Sequence, residues 1–114
     1  MNSIVEKPWG KYEVLKKGKN YLVKKINVSP GGKLSLQSHK YRSEHWIIVE
    51  GTAKVTINKK IYIIKINENI YIPLNAKHRL ENNGKENLVV IEIQFGETLD
   101  EKDIIRYEDI YDRN

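Results

Sequence analysis

Residues 34–46 read LSLQSHKYRSEHW, and together with Gly31 and Gly51 on either side they decide how the chain folds. Residues two apart in a strand share a face, so Gln37 and His39 project together while Ser38 points away. The stretch Lys40 to Ser43 is long enough for a tight connection. Glu44 then opens a second strand and shares its face with Trp46 and Ile48. Two strands that should be packing a core therefore offer an amide, an imidazole and a carboxylate to one interior. A fourth donor comes from residues 71–82, YIPLNAKHRLEN, where Pro73 fixes φ, Asn75 suits a left-handed position and His78 follows. Gln37, His39, Glu44 and His78 are oxygen and nitrogen donors suited to one divalent ion (Zn, Mn, Co, Fe or Ni), and only one of them is charged, so the ion would keep its Lewis acidity. Taken singly each is a weak signal, because a lone strand histidine is more often a hydrogen-bonded structural residue.

Working outward, short runs rich in Ile, Val and Tyr alternate with turn signals at Gly18–Asn20, Pro30–Gly32, Gly51, Asn58–Lys60, Asn67–Asn69 and Asn82–Gly84. The pattern predicts strands near 11–16, 20–28, 33–39, 44–50, 52–58, 60–66, 70–72, 77–82 and 86–95. So many short strands in one small chain imply an all-β sandwich or a closed jelly-roll barrel, which shelters sheet edges. Thr98 followed by Glu101 has a capping-box spacing and predicts a short helical C-terminal tail. Residues 1–114 are expected to form a single domain, with a core over 20–96, an N-terminal arm over 1–19 and a tail over 97–114.

The 114 residues include no cysteine, which excludes disulfides and thiolate metal sites. No signal-peptide pattern and no long apolar run are present, so a cytoplasmic protein outside the membrane is expected. The net charge of +5 suits an anionic ligand. No basic run is interleaved with aromatics, so nucleic acid is not an expected partner.

The two polar segments resemble the cupin motifs G-x5-H-x-H-x4-E-x6-G and G-x5-P-x-G-x2-H-x3-N. Gly31, Gln37, His39, Glu44 and Gly51 fall at the first spacing, with Gln in place of a His. Pro73, His78 and Asn82 fit the second, with Asn67 and Asn75 replacing its glycines. More closely, KPWGKYEVL, LSLQSHKYRSEHWIIVEGTAKV, YIPLNAKHRLEN and DIIRYEDIYDR resemble the cupin domain of type II phosphomannose isomerase. That domain lies at the C-terminus of bifunctional mannose-1-phosphate guanylyltransferase/mannose-6-phosphate isomerase. The resemblance implies a cupin barrel, metal ligation by Gln37, His39, Glu44 and His78, a role for Arg42 in isomerisation, and conversion of mannose 6-phosphate to fructose 6-phosphate. The nucleotidyltransferase domain has no counterpart in these residues, so guanylyl transfer is not expected of them. A separate guanylyltransferase is a candidate partner, and a non-catalytic cupin binding a sugar phosphate beside it is the second reading. An iron dioxygenase is a third.

Strand parity supplies further candidates. Lys24 shares a stripe with Leu22, Ile26 and Val28, as either a phosphate contact or a lysine snorkelling to the rim. Glu92 is a candidate proton-transfer group and Gln94 a substrate contact, if their face lines the cavity. Lys33 shares parity with Gln37, and Arg79 follows His78; both are candidate contacts for a phosphorylated hexose. His45 is assigned a supporting role, and Trp9, Tyr12 and Trp46 the core. A homodimer through an arm such as residues 4–15 is expected.

Overall fold

The computed structural model describes residues 3–113. Its strands, in chain order, are β1 (Ile4–Lys7), β2 (Gly10–Lys17), β3 (Tyr21–Val28), β4 (Leu36–Ser38), β5 (Ser43–Glu50), β6 (Ala53–Ile57), β7 (Lys60–Ile64), β8 (Asn69–Ile72), β9 (His78–Glu81), β10 (Leu88–Phe95) and β11 (Ile105–Glu108). They form two antiparallel sheets, ordered β1-β2-β3-β10-β5-β8 and β11-β4-β9-β6-β7. No helix long and apolar enough to cross a membrane occurs among the described residues.

The period-two pattern decides which residues enter the interior. In β3, Leu22, Lys24, Ile26 and Val28 are buried and the residues between them are more exposed. Register then aligns the inward residues into rungs across β3, β10 and β5. Ile26, Val90 and Ile48 form one rung; Lys24, Glu92 and Trp46 form the next; Leu22, Gln94 and Glu44 form the third. Successive rungs lie about 7 Å apart, so the interior passes from wholly apolar to ionic within two steps. Val55, Leu80 and Ala53 of the facing sheet close the apolar end together with Trp9, Val28 and Leu88. Burying a Leu- or Ile-sized side chain there contributes about 1.5–3 kcal/mol, and this end holds the barrel together while the other is left for polar chemistry.

Turn chemistry agrees with the motif reading. Asn67 and Asn75 have φ of 72° and 65°, the left-handed region in which asparagine best replaces glycine. Gly51, with φ 80°, is held to glycine more strictly, because a Cβ there would lie 2.5 Å from the Asn87 carbonyl oxygen.

Three expectations are corrected. The tail holds no helix: Ile105, Arg106 and Glu108 pair with Ser38, Gln37 and Leu36, so β11 covers what would be an open edge of β4. The local cause is Asp100, whose carboxylate accepts Lys102 N–H at 2.9 Å in a turn and caps no helix. The arm does not stand apart, since β1 pairs with β2 and β2 with β3 in the six-stranded sheet. The strand expected over 33–39 shrinks to Leu36–Ser38, because Lys33 makes only an isolated bridge to Glu81.

Candidate metal centre and its cavity

The donors meet where the two sheets face each other. Gln37 on β4 is the register partner of His78 on β9, both in the five-stranded sheet. The chain passes His39, crosses to the six-stranded sheet and presents Glu44 on β5. His39, Glu44 and His78 are each at most 3% exposed, and their candidate ligand atoms all lie within 4.8 Å of one another. His39 Nε2 is 3.3 Å from one Glu44 oxygen, and His78 Nε2 is 3.9 Å from the other. Two atoms bound to one ion at about 2.1 Å in tetrahedral geometry sit about 3.4 Å apart, so the spacing suits shared coordination.

The tautomers also suit it. His39 Nδ1 is 2.7 Å from the Asp103 carbonyl oxygen and His78 Nδ1 is 2.9 Å from that of Ala76. A carbonyl only accepts, so Nδ1 carries the hydrogen and Nε2 keeps a lone pair turned toward Glu44, the orientation that metal-ligating histidines adopt. Arg42 Nη2 donates to His39 Nε2 at 3.2 Å, which agrees because arginine has only donors. Gln37 Nε2 donates to Ser35 Oγ at 2.9 Å, and its amide oxygen has no partner among the described residues. The set therefore fits a divalent cation.

Electrostatics separate the two buried carboxyls. Burial alone would raise Glu44, but the charges of His78, Arg42 and His39 outweigh it and hold its pKa down at about 2. Arg42 Nε donates to Glu44 at 2.8 Å and Trp46 Nε1 donates at 2.9 Å. Glu92 is pushed up to about 8 by burial first and by the Glu44 charge second, so it holds its proton at neutral pH. Burial also lowers His39 to about 4, against the pull of Glu44.

A cavity of about 160 Å³ opens above this cluster, lined by six basic side chains and three carboxyl groups, one of them the protonated Glu92. Gln37, Arg42, Glu44, His78, Lys24 and Glu92 line it, and so does Arg79, although it follows His78 and strand parity would turn it away. Lys24 is buried, but its ammonium is engaged by Glu101 at 2.8 Å and lies 4.1 Å over the Tyr12 ring. Arg79 lines the wall while donating to the Leu34 carbonyl and to Glu108. His39 sits in the donor cluster but does not line the cavity, and two further candidates lie elsewhere. Lys33 turns to Glu81 at 3.8 Å, because the irregular stretch before β4 breaks the parity that would have aimed it inward. Gln94 is packed beneath the cavity and donates to Glu92 at 2.6 Å, which makes it a support for that carboxyl. His45 stacks on Tyr71, outside the cavity. Lys7, Glu101, Asp103 and Arg106 were missed. A helical reading of the tail hid the last three, whereas the alternation of Ile105, Arg106 and Tyr107 is a strand signal that could have exposed Arg106.

Two facing antiparallel sheets with a His/Glu cluster between them define a cupin, a double-stranded β-helix. The solved structures agree on the fold. The capsular polysaccharide assembling protein CapF of Staphylococcus aureus superposes with a TM-score of 0.80 at 19% identity, over 96% of this chain and 33% of that one. A cupin-2 domain from Rhodospirillum rubrum does so at 0.75 and 16% identity, over 90% of this chain and 78% of that one. The chain belongs to the family described as mannose-6-phosphate isomerase C-terminal, matched over residues 1–109. It is 50% identical over 113 residues to mannose-1-phosphate guanylyltransferase ManC of Salmonella typhimurium, covering 99% of this chain and 24% of the relative. It is 51% identical over 109 residues to mannose-1-phosphate guanylyltransferase of Escherichia coli, covering 96% of this chain and 23% of the relative. The chain thus spans about a quarter of the length of these relatives. They correct the expectation of a mannose-6-phosphate isomerase: they carry the name of a guanylyltransferase, and only their cupin portion corresponds to this chain.

Proposed function

We propose that the chain is a sugar-phosphate-binding cupin that works as the partner module of a mannose-1-phosphate guanylyltransferase. The observation that carries this reading is the convergence of buried His39, Glu44 and His78, of which Glu44 and His78 line a cavity with a surplus of basic side chains. Gln37, His39, Glu44 and His78 would hold one divalent ion, which when bound supplies an electrophilic anchor for sugar oxygens. Arg42 orients Glu44 and presents its remaining donors to the ligand. Protonated Glu92 is a hydrogen-bond donor in a wall that otherwise favours anions. The partnership is supported by relatives that carry this domain within chains named mannose-1-phosphate guanylyltransferase.

Calorimetric titration of the metal-loaded protein with mannose 6-phosphate, mannose 1-phosphate and mannose tests the binding. A coupled assay for fructose 6-phosphate tests turnover, and sedimentation with the nucleotidyltransferase portion of a ManC-type enzyme tests the partnership. Saturable binding of a sugar phosphate, no turnover and a mixed complex are expected. Failure to bind any sugar phosphate, or efficient isomerisation, refutes the reading.

A further inference from the structure

Most of the basic groups lining the cavity are already committed. Arg42 is bound to Glu44 and His39, Lys24 to Glu101, Arg79 to Glu108 and the Leu34 carbonyl, and Arg113 to Asp109. Arg106 is one of two exceptions, Lys7 being the other. Arg106 lines the same cavity, yet it has no carboxylate partner among the described residues, and its Nε is shut off from solvent with no hydrogen-bond acceptor. A buried donor left unmade is costly, and a guanidinium in a cavity wall can recover that cost from a ligand.

Register says where such a ligand would lie. Arg106 is the partner of Gln37 across β11 and β4, and Gln37 is the partner of His78 across β4 and β9. Directly opposed residues on neighbouring strands project to the same side, and strands run about 4.8 Å apart. Arg106 therefore stands one strand from one donor of the metal cluster and two strands from another. Lys7 reaches the same cavity from β1 in the opposite sheet and has no ion-pair partner among the described residues.

We infer that Arg106, assisted by Lys7, forms an oxyanion subsite beside the metal cluster that takes the phosphate group of a phosphorylated sugar. The planar fork suits two phosphate oxygens at once, and the span from Arg106 to the donor cluster is one that a small sugar phosphate can bridge. This assignment deepens the sugar-phosphate reading and rests on it. It also places the tail strand in ligand recognition.

The test compares wild type with Arg106→Gln, both metal-loaded, by calorimetry against mannose 6-phosphate, mannose 1-phosphate and mannose, and by phosphorus NMR line broadening of inorganic phosphate. The substitution is expected to weaken whichever sugar phosphate binds by about 10- to 100-fold, the worth of a charge-assisted hydrogen-bonded pair, while metal stoichiometry and any affinity for mannose stay unchanged. Equal affinity of the two proteins for a sugar phosphate overturns the subsite and leaves the binding function standing. If wild type binds no sugar phosphate, the binding function fails. The subsite then stands only if inorganic phosphate is broadened by wild type and not by Arg106→Gln, and it falls if neither protein broadens it. Should Arg106→Gln not fold, Arg106→Lys carries the test: it keeps the charge and loses the fork, so affinity should fall about tenfold, and an unchanged affinity overturns the proposal.

Discussion

Replacing Asp103 by alanine should loosen the metal centre from outside it. The Asp103 carboxylate accepts Lys40 N–H and Tyr41 N–H at 2.9 Å each, fixing the turn between β4 and β5, while its main-chain carbonyl accepts His39 Nδ1–H at 2.7 Å. The substitution keeps that carbonyl but removes both carboxylate bonds. Lys40 and Tyr41 are exposed, so water can satisfy their N–H groups, and each bond is worth only about 1 kcal/mol net. Losing both shifts the closed arrangement by about 2 kcal/mol, a factor of about 30, and divalent-ion affinity should fall by up to that factor. This lies within the range of about 10- to 100-fold found for groups that orient metal ligands. Competition for Zn or Co against a chromophoric chelator measures the loss, with Asp100→Ala as control, since the Asp100 carboxylate holds only Lys102 N–H and the main-chain bond from Asp103 N–H to its carbonyl survives the substitution. Unchanged metal affinity in a folded Asp103→Ala protein would refute the view that the tail positions His39.

His78→Ala should abolish stoichiometric metal in the purified protein, and Gln37→Ala should lower affinity by less, because a neutral amide oxygen is the weaker donor; elemental analysis after dialysis reads both. Arg42→Gln should raise divalent-ion affinity by about tenfold, because the guanidinium competes for Glu44 and the His39 lone pair and repels a dication; the same chelator competition decides it. The chelator-treated protein should lose stability as pH rises from about 6.5 to about 8, since folded Glu92 keeps its proton there while the unfolded chain has ionised; between about 4.5 and 6.5 His39, held neutral in the fold, offsets that slope. Urea denaturation should find that slope flattened in Glu92→Gln.

The sequence made the six-stranded half of the barrel legible because β3, β5 and β10 each run eight residues with clean alternation, so parity placed Lys24, Glu44 and Glu92 inward. The four candidate donors could be proposed from spacing because turn residues with restricted φ, Pro73 and Asn75, fix where His78 begins. Lys33 failed for the opposite reason: parity holds only inside a regular strand, and β4 has just three residues. The tail was hidden because its pairing is non-local, whereas β1–β2 and β2–β3 are sequential hairpins. β11 is a strand by virtue of an open edge far earlier in the chain, as the Arg106–Gln37 and Ile105–Ser38 pairs show, and local capping signals carry no trace of it.

The location of the site follows from how the interior distributes its costs. Charged groups are rarely buried unless paired, and this barrel buries Lys24, Arg42, Glu44, Arg79 and Glu92 at one end. Most of them are matched within the protein: Lys24 with Glu101, Arg42 with Glu44, Arg79 with Glu108. What remains unmatched among the described residues is the His78 lone pair, the Gln37 amide oxygen and the Arg106 guanidinium, and the register of β11, β4 and β9 sets Arg106, Gln37 and His78 in one row. Acceptors at one end of that row call for a cation, and donors at the other call for an anion. A metal ion and a phosphorylated sugar meet both requirements at once, whereas a neutral sugar or a nucleobase could accept from the guanidinium but would leave its charge without a counter-ion. The apolar rungs behind the row make this affordable, since they hold the sheets together without help from the polar end.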